Sequence, residues 1–139
     1  MARSILAVVV GYFIFALSVL AFFQLAGQPP HQPAPMPIML GSIAVGMVFA
    51  LLGGYVAAGL AGRRPLAHGV AVAAVLALGA TVSLFSALGK GAVWSQVAAL
   101  VLMAPCAVLG GWLRFRQVTN TPPNPPPNPP PNPQARAHN

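Results

Sequence analysis

The alternation of apolar and polar positions divides the chain into four long apolar runs with short polar breaks between them. The runs cover about residues 5–25, 38–61, 66–88 and 93–113, and none carries an internal charge. Each is near the roughly 20 residues that a helix needs to cross about 30 Å of hydrocarbon. The pattern predicts an all-α membrane protein, with four transmembrane helices in an antiparallel bundle over residues 1–117 and a tail over 118–139. Arg3 ahead of the first run is reminiscent of a signal peptide. The apolar core is longer than the roughly 7–15 residues such peptides use, and no small-x-small site follows cleanly, so the run is read as a retained span.

Small residues in the second run recur at a helical interval. Ser42, Gly46, Ala50, Gly54, Ala58 and Gly62 are each four positions apart and form one slowly rotating stripe on a helix. Lipid tails are as apolar as leucine, so helices gain little by burying apolar surface on one another. Close backbone approach drives their association instead, and small residues permit it. The second helix is therefore expected to be the most buried. Its partner, another helix of this chain or of a second copy, is left open. The run closes with Gly62-Arg63-Arg64-Pro65, which fits a very short hairpin because proline suits the first turn of a new helix. Tight antiparallel contact between the second and third helices is expected from it. Leu76 in the third run lies on no assigned face.

Composition sharpens the picture. Hydrophobic residues make up 57% of the chain and charged residues 5%, where a soluble domain carries about a quarter charged. There is no Asp or Glu, and the net charge is +7. The cations sit singly or in pairs at the ends of apolar runs, with no basic face interleaved with aromatics, which speaks against a nucleic-acid partner. They read as topology signals and contacts to lipid head groups. With both termini cytoplasmic, Arg3, Arg63, Arg64, Arg114, Arg116 and Arg136 fall inside and only Lys90 outside, as the positive-inside rule requires. Trp94 and Trp112 stand near opposite ends of the fourth run, where indole rings favour the bilayer interface.

The absence of carboxylates excludes paired-carboxylate catalysis, carboxylate metal cages and a Ser-His-Asp triad within one chain. His31, His68 and His138 are too far apart along this topology to share a metal, so no metal, cofactor or enzymatic activity is expected. Cys106 reads as a small packing residue. Ser18, Thr81, Ser83, Ser86 and Gln96 are mild intramembrane polar groups, expected to bond backbone carbonyls or a neighbouring helix rather than line a permeation path. Pro105 is expected to kink the fourth helix. Beyond Val118 the PPPN unit recurs every four residues and favours polyproline II, either as a disordered spacer or as a ligand for an aromatic-lined groove.

Gly53-Gly54-Tyr55 is echoed by Gly110-Gly111-Trp112, 57 positions later, and both precede arginines. Either a duplicated hairpin or convergence on one helix-end solution would give this pattern. The stretch GGYVAAGLAGRRPLAHG, between two apolar spans, resembles the central hairpin of uncharacterised small four-helix bacterial membrane proteins. That resemblance implies the fold and a bacterial inner-membrane location, and implies no activity, substrate or cofactor. Size and topology are also similar to the small multidrug-resistance transporters. Those carry a membrane-embedded glutamate in the first helix, where this chain has only Tyr12 and Ser18 as polar groups, so the proton-coupling group is missing. The expected role is a structural or accessory membrane protein that packs against itself or a larger complex. The alternative is a small oligomeric transporter or channel for a neutral or anionic solute.

Overall fold

The computed structural model describes residues 2–29, 32, 34–62, 64–87 and 93–121. Four helices account for nearly all of them: α1 (Ala2–Leu25), α2 (Met36–Ala61), α3 (Pro65–Ala87) and α4 (Val93–Asn120). All four are long and apolar enough to cross a membrane. Arg63, Lys90, His31 and the proline-rich tail from residue 122, with Arg136 and His138, lie outside the described residues, as does the side chain of Ser86.

Helix ends follow local chemistry. Pro37 falls in the first turn of α2, where its missing amide donor costs nothing, and the Pro35 carbonyl accepts from the Ile38 and Met39 amides. Pro65 is the first residue of α3. Between them Gly62 is left-handed at φ 70° and Arg64 at φ 49°, which reverses the chain within three residues. α4 passes Pro105 without ending, and it runs seven residues beyond the apolar limit at 113. In that extension Thr119 donates to the Phe115 and Arg116 carbonyls and Thr121 to that of Gln117. Pro122 and Pro123 then follow, and the residue before a proline disfavours helix.

The bundle is up-and-down. Arg3 Nε donates to the Leu60 carbonyl at 2.8 Å, which joins the start of α1 to the end of α2. Gly69 near the start of α3 meets Gly111 near the end of α4. Contacts run round the bundle in the order α1–α2–α4–α3, and α2 also touches α3, while α1 and α4 share no close backbone contact among the described residues. The α2–α3 contact expected from the tight hairpin is present, but it is not the most extensive one. α2 packs most extensively on α4 and then on α1, and α3 packs chiefly on α4. Ala50 and Ala57 of α2 nevertheless share one core cluster with Val72, Ala73 and Leu76 of α3.

The interior is built of small residues and the exterior of large ones. Buried positions are mostly Gly and Ala, and the largest side chain that is fully buried is Val72. Leu6, Phe13, Leu17, Leu78, Val82 and Phe85 are all more than half exposed. Water would not tolerate such a surface, but a lipid solvent does. α2 is the centre, with eight buried residues against two in α1. Leu76, which the sequence left without a face, is 5% exposed and belongs to the core.

Four backbone crossings hold the helices. A Cβ on Gly53 would run into the Gly11 carbonyl, and one on Gly54 into that of Ala107. A Cβ on Gly110 would meet the Leu51 carbonyl, and one on Gly111 would lie 2.8 Å from Gly69 Cα. Each Gly-Gly doublet thus serves two partners, because adjacent helical residues point about 100° apart. Gly53 faces α1 and Gly54 faces α4, while Gly110 faces α2 and Gly111 faces α3.

The obstructing atom decides the cost of filling each glycine. Gly54→Ala and Gly110→Ala force a backbone to move and are expected to destabilise by about 1–3 kcal/mol or more, the usual range for overpacking. Gly46→Ala meets only the flexible end of Met103, and Gly59→Ala meets nothing nearer than the Arg114 side chain at 3.5 Å. Both should stay within about 1 kcal/mol of the wild type, with Gly59→Ala gaining helix propensity. Unfolding of the purified chain in mild detergent, followed by circular dichroism, checks the order.

Candidate functional site

The two ends of the bundle are chemically unlike. At one end stand Arg3, Arg64, Arg114 and Arg116, with no carboxylate in the chain to pair with any of them. Neutral groups serve instead. Arg3 caps the end of α2 through the Leu60 carbonyl, where the helix dipole favours a cation. Arg114 stacks 5.7 Å from the Tyr55 ring and donates to Gln117 Oε1, which also accepts from the Tyr55 hydroxyl at 2.7 Å. Arg116 lies 4.6 Å from the Trp112 ring. Both aromatic residues that follow the Gly-Gly doublets therefore carry an arginine over one face. His68 Nδ1 bonds the Arg64 carbonyl at 3.1 Å.

The stripe foreseen on α2 is divided among several tasks. Gly46, Ala50, Gly54 and Ala58 are buried, and their partners belong to this chain. Ser42 is half-buried and donates to the Met39 carbonyl. Gly62 departs from the expected packing role: it lies past the last helical residue, exposed and left-handed, with Arg3 beside it. A stripe counted on one face also overlooked Gly53 and Ala57, which pack on α1, because α2 has neighbours on more than one side.

At the opposite end the helices part around a cavity of about 240 Å³. Its walls are Tyr12, Phe15, Val19 and Phe23 of α1, Met39 and Ser42 of α2, and facing residues of α3 and α4. Leu76 and Met103 line it near the middle of the bundle, and Gln32 and Ala34 of the α1–α2 connection line it at the far end. Side-chain size explains its position. Glycines draw the backbones together in the arginine half, whereas phenylalanines and methionines hold them apart in the other. α2 and α3 are tied by a three-residue connection at the closed end.

Among the described residues, none that is charged lines the cavity. Ser18 and Thr81 donate to carbonyls four residues back, as expected of membrane hydroxyls. Ser83 instead donates across to Gln96 Oε1 at 3.2 Å, linking α3 to α4 beside the cavity. The Tyr12 hydroxyl stands over Gly79, one turn before Ser83 on the same face of α3, where the missing side chain leaves room for it. The sequence marks Ser83 and Gln96 among the mild intramembrane polar groups expected to bond a backbone carbonyl or a neighbouring helix, and they bond each other. Their common signal was position, since one closes the third run and the other opens the fourth.

Searches against family models, curated proteins and solved structures give no match for this chain.

Removing the Ser83–Gln96 bond should be mild. Interhelical bonds of this kind in membranes average about 0.6 kcal/mol, so Ser83→Ala should lower unfolding stability by about that much. An unfolding titration in mixed micelles measures it.

Proposed function

We propose that this is an integral protein of a bacterial inner membrane, with both termini and the arginine-bearing end in the cytoplasm. Its role is structural or accessory: it packs, as an apolar four-helix unit, against further copies or a larger membrane complex. Gathering of Arg3, Arg64, Arg114 and Arg116 at one end supports the orientation, because cations are retained on the cytoplasmic side. Trp94 and Trp112 are 18 positions apart on α4, about 27 Å at 1.5 Å per residue, close to the hydrocarbon thickness. The resemblance of the α2–α3 hairpin to small bacterial membrane proteins supports the same placement.

One observation carries the accessory role. The arginine half is shut by backbone-to-backbone glycine contacts, so a single copy offers no open route from end to end among the described residues. The chain has no carboxylate with which to move a proton. What it presents to other molecules is its apolar perimeter, its cationic end and a proline-rich tail suited to an aromatic groove.

The cavity favours a second reading, an oligomeric carrier or pore. Its lining among the described residues is uncharged, which supports the neutral solute of the two classes expected, neutral or anionic. Transport would require the glycine crossings to open.

Two measurements separate these readings. Reporter fusions beside Pro65 and after Asn120 should both report cytoplasm, and opposite signals would overturn the topology. Affinity purification in mild detergent should recover a stoichiometric partner or a defined oligomer, while liposomes holding the purified chain should pass neutral solutes no faster than empty ones. A monodisperse single chain that speeds solute flux would replace the accessory role with transport.

A further inference from the structure

We propose that the cavity opposite the arginine end is a binding site for a neutral single-chain amphiphile, an uncharged lipid with a hydroxyl or carbonyl oxygen at one end, of the monoacylglycerol type. This inference is independent of what the protein associates with.

Charge sets the class. Among the described residues the lining holds no ionisable group other than the Tyr12 phenol, and the chain has no Asp or Glu. The described arginines stand at the other end; Arg114 is eleven positions from Met103 at the cavity floor, about 16 Å along α4. Against the described lining, a charged head group would lose its hydration without gaining a counter-charge.

Uncommitted polar groups set the head. Gln96 has one end of its amide on Ser83 and the other without a hydrogen-bond partner among the described residues. The two ends differ only in which of them donates, so either assignment leaves a polar atom for the occupant. The Tyr12 hydroxyl likewise has no hydrogen-bond partner among the described residues. It sits at Gly79 and Gln96 at Ser83, one turn apart on one face of α3, so a single ester or glycerol head can reach both.

Depth and volume set the body. Gln96 is near the start of α4, at the level of an interface, while Met103 lies about 10 Å deeper along the helix. A lipid with its oxygens at Gln96 therefore points its chain toward the bundle centre, among Phe15, Val19, Leu100 and Met103. The volume of about 240 Å³ is below the range of roughly 300–1,000 Å³ typical of ligand pockets, so it admits the head and the upper part of one chain, and a two-chain phospholipid does not enter whole. Voids walled mainly by apolar groups hold water poorly, and a bilayer supplies chains at high concentration.

The test uses the full chain in nanodiscs of phosphatidylcholine and phosphatidylglycerol, with a monoacylglycerol bearing a diazirine in its chain. Crosslinks mapped by mass spectrometry should concentrate on Phe15, Leu100 and Met103 over the lipid-facing Leu17, Leu78 and Val101. Unlabelled monoacylglycerol should displace them and lysophosphatidylglycerol should not. Ala99→Phe, which fills the cavity, should abolish the concentrated labelling in a variant with wild-type helicity. Gln96→Leu should weaken displacement about fivefold, the value of one hydrogen bond. The wild-type map stands even where a variant fails to fold. Even labelling over inner and outer residues, or labelling that excess lipid does not displace, overturns the proposal. Equal displacement by the anionic lysolipid overturns its restriction to neutral head groups.

Discussion

Direct contact between helix backbones, made possible by glycine, is the interaction on which this protein rests. In lipid the helices gain almost nothing by hiding apolar side chains from their surroundings. Dispersion between closely fitted surfaces must hold them, and it falls away within an ångström of separation. Gly53 on Gly11, Gly54 on Ala107, Gly110 on Leu51 and Gly111 on Gly69 remove the side-chain layer between carbonyls and neighbouring backbones. Two adjacent glycines form a corner on a helix, so each doublet lets one helix press against two others. That is how a chain whose largest fully buried side chain is valine keeps a defined packing.

Close approach is confined to half the bundle, and the other half inherits the difference. Where Phe15, Phe23, Met39 and Met103 replace glycine, the axes cannot come as near, and a lined space remains. The gradient from small to large residues along the bundle thus produces a sealed cationic end and an open neutral one. The arginines add to the seal: in the absence of any acid they hold carbonyls, rings and an amide, tying α1 to α2 and α2 to α4.

Much of this was legible in the residues, and the failures share a cause. Run lengths and the absence of charge located all four helices, and Pro65 was read correctly as the start of α3. The four-residue interval found Gly46, Ala50, Gly54 and Ala58 because one face of α2 does meet one neighbour. It missed Gly53 and Ala57 because periodicity describes a single face, whereas α2 is surrounded. The expected contact of α2 with α3 is present but smaller than those of α2 with α4 and α1, because a short connection constrains two helix ends rather than two helix lengths. Ending the fourth run at 113 mistook the edge of the lipid-compatible stretch for the edge of the helix, which continues until prolines forbid it. The cavity could not be read at all, since four helices line it together and no one of them carries its signature.

The doublets also bear on whether the two halves of the chain repeat one another. Gly11 and Gly69 are 58 positions apart, and so are their respective partners Gly53 and Gly111. Across the α2–α4 contact, Gly54 on Ala107 is paired with Gly110 on Leu51, but there the spacing is 56 positions and the doublet is taken in the opposite order, so no single repeat register relates the two sets of contacts. The two halves also differ in contact, since α2 and α3 touch while α1 and α4 share no close backbone contact among the described residues. The pocket accordingly takes its walls from all four helices and belongs to neither half alone.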